Sequence, residues 1–338
     1  MTAKAFLKYR NVWIGCAMLW IVWFHIKLES VGSVLTYAKS IGYGGVDICL
    51  FASGLGCWFS LQKDPDAYRF MKRRFARLMP TYLCFIVFWI LFRQLTDPIP
   101  KIAILGNLLG IQNFTGQGHY FNWYICAVFL LYFLAPFLCG IAEKTESRLQ
   151  QLAFVILLVL FSVPFWCADT YIVTVSRLAI FYVGILFGKL CSQEALTKRL
   201  IAVSLAVLVV GLIVLYLFCA YFHDKLWSYG LYWYPFILIT PGLCILISFV
   251  MQALDKTKPG RWIIRCLEKI GTFSFEVYLV HILVFDVLQY MTEGSLLPDR
   301  PYIWLGSLAL IVMLCIGLRR LTDTAQSLLR KITKGGKE

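Results

Sequence analysis

Residues 10–25 read RNVWIGCAMLWIVWFH. The run opens on Arg10 and Asn11 and is otherwise apolar up to its last residue. Tryptophans aside, it holds a single side chain able to exchange a proton, Cys16, before it reaches His25. Imidazole is costly to bury in hydrocarbon, so a histidine inside a membrane span is a functional hypothesis whose partner must be sought. At about 1.5 Å per residue, the fifteen steps from Arg10 to His25 cover roughly 22 Å. With Arg10 at the inner interface, His25 falls in the outer third of the bilayer. The plain alternative is a histidine bonded to a neighbouring carbonyl, or one reaching outward with Lys27. A cleaved signal peptide would share the basic start, with Ser30-Val31-Gly32 as its small-residue site. The long, Trp-rich run reads instead as a retained span.

The remainder of the chain agrees with a membrane setting. Of 338 residues, 60% are hydrophobic and 15% charged. A soluble protein of this length could not hide so much apolar surface. Apolar runs recur at the spacing of a polytopic, all-α transmembrane bundle, with residues 1–338 forming one domain. The net charge of +14 sits between the spans, which favours membrane lipids or an anionic ligand over nucleic acid. The 12 cysteines include no CxxC pair and lie mostly in apolar runs, where thiols act as small hydrophobes. No metal site and no structural disulfide is expected.

Ten spans are expected, at 11–28, 44–61, 78–94, 120–140, 149–166, 172–190, 200–221, 229–254, 270–290 and 302–318, with a basic tail at 319–338. Turn formers and charge separate them, as at Lys63-Asp64-Pro65-Asp66 and at Lys256 to Arg265. With the N-terminus in the cytoplasm, the inner segments carry 25 of the 32 Lys and Arg. The outer segments carry six, Lys27, Lys39, Arg93, Lys101, Lys225 and Arg300, and Arg177 lies inside the sixth span. That bias sets both termini in the cytoplasm of a multi-pass cell-membrane protein. Segment 101–119 reads as an outer loop dipping into the interface, or alternatively as a helix on the outer surface.

Several polar residues stand out against this background. Asp47 opens the second span near the depth of His25, where a carboxylate would orient the imidazole. Its alternative is a helix-start acid held by the helix dipole. Ser53 and the glycines around it allow close helix contact. Arg177 is at a similar depth and needs a partner: Asp47 in a structural ion pair, a substrate carboxylate or a developing oxyanion. The inner loop 68–82 is the strongest cationic cluster, with Arg73, Arg74 and Arg77 suited to phosphate. It also satisfies the simpler demand for positive charge inside. Glu276 and His281 are five residues apart, on different faces of the ninth span, and suit a polar path better than a metal site. Asn122 and Trp123, with His119, begin the fourth span on the outer side.

Taken in order, these stretches resemble the acyltransferase family 3 membrane proteins, bacterial enzymes that O-acylate carbohydrates. The resemblance is carried by Arg10 with His25, GGVDICLFASG at 44–54, and FMKRRFARLMPTY at 70–82. It continues through Trp123-Tyr124 with Tyr132 and Pro136, Ser176-Arg177 with Gly184 and Gly188, and IGTFSFEVYLVH at 270–281. The chain departs from the pattern at Gly15, where many members carry aspartate, and at Cys49-Leu50, where paired phenylalanines are common. The resemblance implies transfer of an acyl group, usually acetyl, from cytoplasmic acyl-CoA to a hydroxyl of an extracytoplasmic glycan or lipid-linked sugar. Acyl-CoA, with acetyl-CoA first among candidates, would be a co-substrate, and no permanently bound cofactor is implied. His25 would be the catalytic histidine, as a base or as an acyl-carrying relay. Arg74 and Arg77 would match the cytoplasmic arginine pair linked to donor use. The rival class is a transporter or flippase for a lipid-linked sugar, which would use the same intramembrane charges. A sensory module or the membrane half of another enzyme is a further rival. Oligomeric state, monomer or homodimer, is left open.

Overall fold

The computed structural model describes residues 1–26, 33–115, 123–167, 169–222, 231–291 and 301–335. Among them are fifteen α-helices and no strand. Short polar side chains start the helices at the end of the bundle that carries most of the arginines and lysines, here called the basic end. Asp66 accepts from the Arg69 amide at 2.8 Å, and Ser147, Thr197 and Thr257 cap later helices in the same way. Long apolar runs then propagate the helices, whose intrahelical hydrogen bonds suit a hydrocarbon setting.

Nine helical stretches among the described residues are long and apolar enough to cross a membrane. They contain α4 (Gly45–Lys63), α5 (Ala67–Thr96), α7 (Trp123–Lys144), α8 (Arg148–Ser162), α10 (Leu178–Ser192), α11 (Lys198–Tyr221), α12 (Tyr234–Leu254), α14 (Ser274–Met291) and α15 (Pro301–Gly335). The stretch quoted first forms α2 (Arg10–His25), a shorter helix of 16 residues. Smaller helices complete the chain: α1 (Ala3–Lys8), α3 (Ser33–Ser40), α6 (Lys101–Leu109), α9 (Asp169–Val175) and α13 (Lys258–Thr272).

The helices divide into a centre and a rim. The apolar stretches 42–63 and 171–192 are 78% and 89% buried, whereas 148–166 and 302–328 are 6% and 22% buried. The first pair is therefore enclosed by protein, while the second presents Leu152, Leu160, Leu305 and Val312 to lipid. Glycine makes the centre dense. A Cβ on Gly54 of α4 would stand 2.1 Å from the Phe181 carbonyl oxygen of α10, and one on Gly184 would stand 2.2 Å from the Phe51 oxygen. Reciprocal glycines let these two helices touch backbone to backbone.

Four sequence expectations change here. Segment 101–119 is no loop where it is described: α6 packs on α5, with Asn107 buried and its carbonyl accepting from the Tyr82 hydroxyl. The linker expected at 256–265 is the start of α13, an amphipathic helix whose charges face outward. Gly271 of α13 and Gly15 of α2 meet, since Cβ atoms there would come within 1.9 Å of the Asn11 oxygen and 2.1 Å of the Leu267 oxygen. This contact is why the first span has no room for an aspartate at position 15. The helix that corresponds to the expected span 270–290 is α14, which begins at Ser274. The arginine stretch 68–82 is likewise helical, the first four turns of α5, and α5 runs on through Pro80.

Candidate active site

At the basic end, α2, α4, α5, α7, α13, α14 and α15 surround a cavity of about 320 Å³. Four arginines line it: Arg10, Arg74, Arg77 and Arg319. Two carboxylates, Glu276 and Asp323, offset half of that charge. Arg10 donates through Nε and Nη2 to the Ala52 carbonyl at 3.0 and 2.8 Å. Arg74 donates to the Gly56 carbonyl at 3.2 Å and lies 5.1 Å from the ring centres of both Phe70 and Tyr132. Gly56 is small for a reason: a Cβ there would press on the Arg10 guanidinium at 3.0 Å. Arg77 lines the cavity with no hydrogen bond or ion pair among the described residues. Arg319, from the middle of α15, holds Glu276 at 2.8 Å, donates to the Thr272 carbonyl and covers the Phe273 ring at 3.6 Å. The arrangement gathers guanidinium groups held in place by backbone carbonyls and aromatic faces, the chemistry that suits an anion.

Arg73, grouped by sequence with Arg74 and Arg77, does not line this cavity. It pairs with Asp64 at 2.6 Å on an exposed surface, beside Arg69. On a helix, neighbours in sequence face about 100° apart, and the i, i+3 pair Arg74 and Arg77 shares the inward face without it. Arg10 and Arg319 take its place. Arg10 was legible only as an interface anchor, and Arg319 as one charge in a basic tail.

The cavity climbs α2 along Arg10, Ile14 and Met18, a stripe of one residue per turn. His25 continues that face seven residues on, about 10 Å beyond Met18. Between them, Tyr124 of α7 lines the cavity and packs on Tyr278 of α14 with ring centres 4.6 Å apart. Tyr278 in turn lies 5.9 Å from His281, and His281 lies 5.1 Å from His25. Cavity, tyrosine pair and histidine pair thus form one column. Ser53 lines the cavity and lies within hydrogen-bonding reach of Tyr132.

His25 is the last helical residue of α2, and its Nδ1 is 2.9 Å from the Ile21 carbonyl oxygen. The carbonyl contact anticipated as the plain alternative is therefore present, and it leaves Nε2 for other work. The partner expected for His25 is different. The described contacts pair Asp47 with Arg177, Oδ1 to Nε at 3.8 Å, and give His25 to Ile21, Phe24 and His281. Sequence placed Asp47 and His25 at one depth. It carried no information on the direction each side chain takes around its helix.

Arg177 sits where the sixth span breaks between α9 and α10. Its guanidinium lies 4.3 Å from the Trp233 ring centre and 4.8 Å from that of Trp123, and Nη1 donates to the Val173 carbonyl at 2.8 Å. Both members of the Asp47–Arg177 pair are 1% exposed. Glu276 and His281 are parted as expected: Glu276 belongs to the cavity and His281 to the histidine pair. Asn122 and His119 lie outside the described residues.

The column thus runs from an arginine-lined cavity to a pair of histidines. The acyltransferase domain family model matches residues 11–320. The chain belongs to acyltransferase family 3. The match takes in every element of the column except Arg10, one residue before it. No curated protein and no solved structure matches the sequence. Family and helices together make this a multi-pass membrane acyltransferase.

Proposed function

We propose that this protein transfers an acyl group, acetyl first among candidates, from cytoplasmic acyl-CoA to a hydroxyl of an extracytoplasmic or lipid-linked carbohydrate. In this proposal the basic end faces the cytoplasm, α2 and the nine longer helices make ten spans, and both termini lie inside the cell. One observation carries it above the rest: four arginines converge on a cavity that lies on the same face of α2 as His25. CoA is a polyanion with a long, slender arm. Phosphates would take the guanidinium groups of Arg10, Arg74, Arg77 and Arg319. The pantetheine arm would run up the Ile14–Met18 stripe, and the thioester would meet His25 once Tyr124 and Tyr278 part. His25 Nε2 would take the proton of the acceptor hydroxyl as its oxygen attacks the thioester carbonyl. Carbon–sulfur cleavage would then return that proton to the leaving thiolate.

The direct test is thiol release from acetyl-CoA by purified protein in nanodiscs, with and without an envelope-glycan fraction. The expected result is acceptor-stimulated release that His25→Gln abolishes. Near-normal release by His25→Gln would remove His25 as the base. Sugar movement without thiol release would favour a flippase.

A further inference from the structure

The histidine pair contains a mismatch of donors and acceptors. In each ring Nδ1 lies at hydrogen-bond distance from the carbonyl four residues back, Ile21 at 2.9 Å for His25 and Val277 at 2.8 Å for His281. A carbonyl only accepts, so Nδ1 carries the hydrogen in both rings. In neutral imidazoles both Nε2 atoms are then bare acceptors. Two acceptors cannot bond each other, yet the rings stand 5.1 Å apart at an interplanar angle of 65°. His281 is fully buried, and its Nε2 has no hydrogen-bond partner among the described residues. Two ring nitrogens that can only accept therefore belong to one pair of contacting rings, and no donor reaches that of His281 among the described residues. Buried acceptors are rarely left so. Neither ring contacts a carboxylate or a cation among the described residues, so nothing there would hold a charged ammonium acceptor.

A lone hydroxyl has one hydrogen and satisfies one of the two nitrogens. Two hydroxyls on adjacent carbons satisfy both. We propose that His281 is a second binding residue for the acceptor and selects a vicinal diol. This rests on the assignment of His25 as the base. One O–H donates to His25 Nε2 and becomes the nucleophile. Its proton passes to that nitrogen, its oxygen bonds the thioester carbon, the carbon–sulfur bond breaks, and the proton returns to sulfur as CoA thiol leaves. The neighbouring O–H donates to His281 Nε2 and stays unmodified. Sites built to hydrogen-bond a hydroxyl reject analogues that lack it, because the site's own polar group is then left unpaired.

The test uses 15N-histidine-labelled protein in nanodiscs, with cis-cyclohexane-1,2-diol and cyclohexanol as probes. NMR should show a bare Nε2 on His281 in the resting protein. The diol should shift that resonance, and cyclohexanol should leave it in place. In acetyl-CoA thiol release, the wild type should favour the diol at least tenfold over cyclohexanol. His281→Phe should bring that ratio near one, and His281→Gln, which keeps an acceptor atom, should restore part of it. A protonated His281 Nε2 at rest would overturn the proposal, as would an equal response to both probes or none. An unchanged ratio in His281→Phe would also overturn it. If His281→Phe does not fold, the resonance and His281→Gln decide. A diol-responsive His281 in a protein that releases no thiol with any acceptor would count against the acyl-transfer assignment alone.

Discussion

Two arginine sites in this molecule answer opposite problems. Arg177 is sealed between Trp123 and Trp233, opposite Asp47, with both charges out of contact with solvent. Arg10, Arg74, Arg77 and Arg319 line an open cavity in which cations outnumber carboxylates. In the first site charge is balanced one to one and buried, beside the break between α9 and α10. In the second, charge is in excess and space is kept, as the proposed anionic donor requires. A count of arginines does not separate the two; neutralisation and room do.

The comparison breaks most sharply at Asp47. Asp47→Ala leaves the Arg177 charge buried without its partner, and should cost about 3–5 kcal/mol of stability. Asp47→Ala with Arg177→Met should recover much of the loss, both read by thermal unfolding in detergent. Next comes Arg74→Ala with Arg77→Ala. Each lost charge-assisted hydrogen bond is worth about 1.5–3 kcal/mol, so the apparent KM for acetyl-CoA should rise by at least tenfold, with little change in the unfolding temperature. Arg319→Gln should act in the same direction but more weakly, because Glu276 already occupies that guanidinium. Arg73→Ala should leave KM unchanged, since Arg73 lies outside the cavity and its ion pair with Asp64 is exposed.

That last pair also has a pH signature. The hydrogen bond from Arg73 holds the Asp64 carboxyl below the usual carboxylate range. A depressed value means the pair stabilises above the unfolded carboxylate pKa and is lost as pH falls through the folded one. Below about pH 4, wild type and Arg73→Ala should therefore converge in stability.

How much of this was legible beforehand follows from what each feature depends on. The spans were readable because hydrocarbon imposes length and apolarity on each helix separately. Arg74, Arg77 and His25 were readable because charge or imidazole beside such runs is conspicuous. Three things were not. α13 looked like a linker because an amphipathic helix lying against α2 interleaves charged and apolar residues along the sequence, although they occupy opposite faces. The interruption at Ser176-Arg177 sits in a run that is apolar on both sides and contains neither Pro nor Gly at the break. The contact of His25 with His281 joins positions 256 residues apart, and nothing local to either histidine names the other. Depth along the bilayer could be estimated from helix rise, and it correctly put Asp47 and Arg177 within reach of each other. Azimuth around each helix could not, and that is what separated Asp47 from His25 and Arg73 from the cavity.

The measurement to make is equilibrium binding of CoA by calorimetry to nanodisc-embedded wild type, Arg74→Ala with Arg77→Ala, and Asp47→Asn. If the open arginine cavity is the donor site, the double variant should bind at least tenfold more weakly. Asp47→Asn, where folded, should bind as wild type does. Equal affinity in the double variant, or a loss confined to Asp47→Asn, would contradict the division of labour between the two arginine sites.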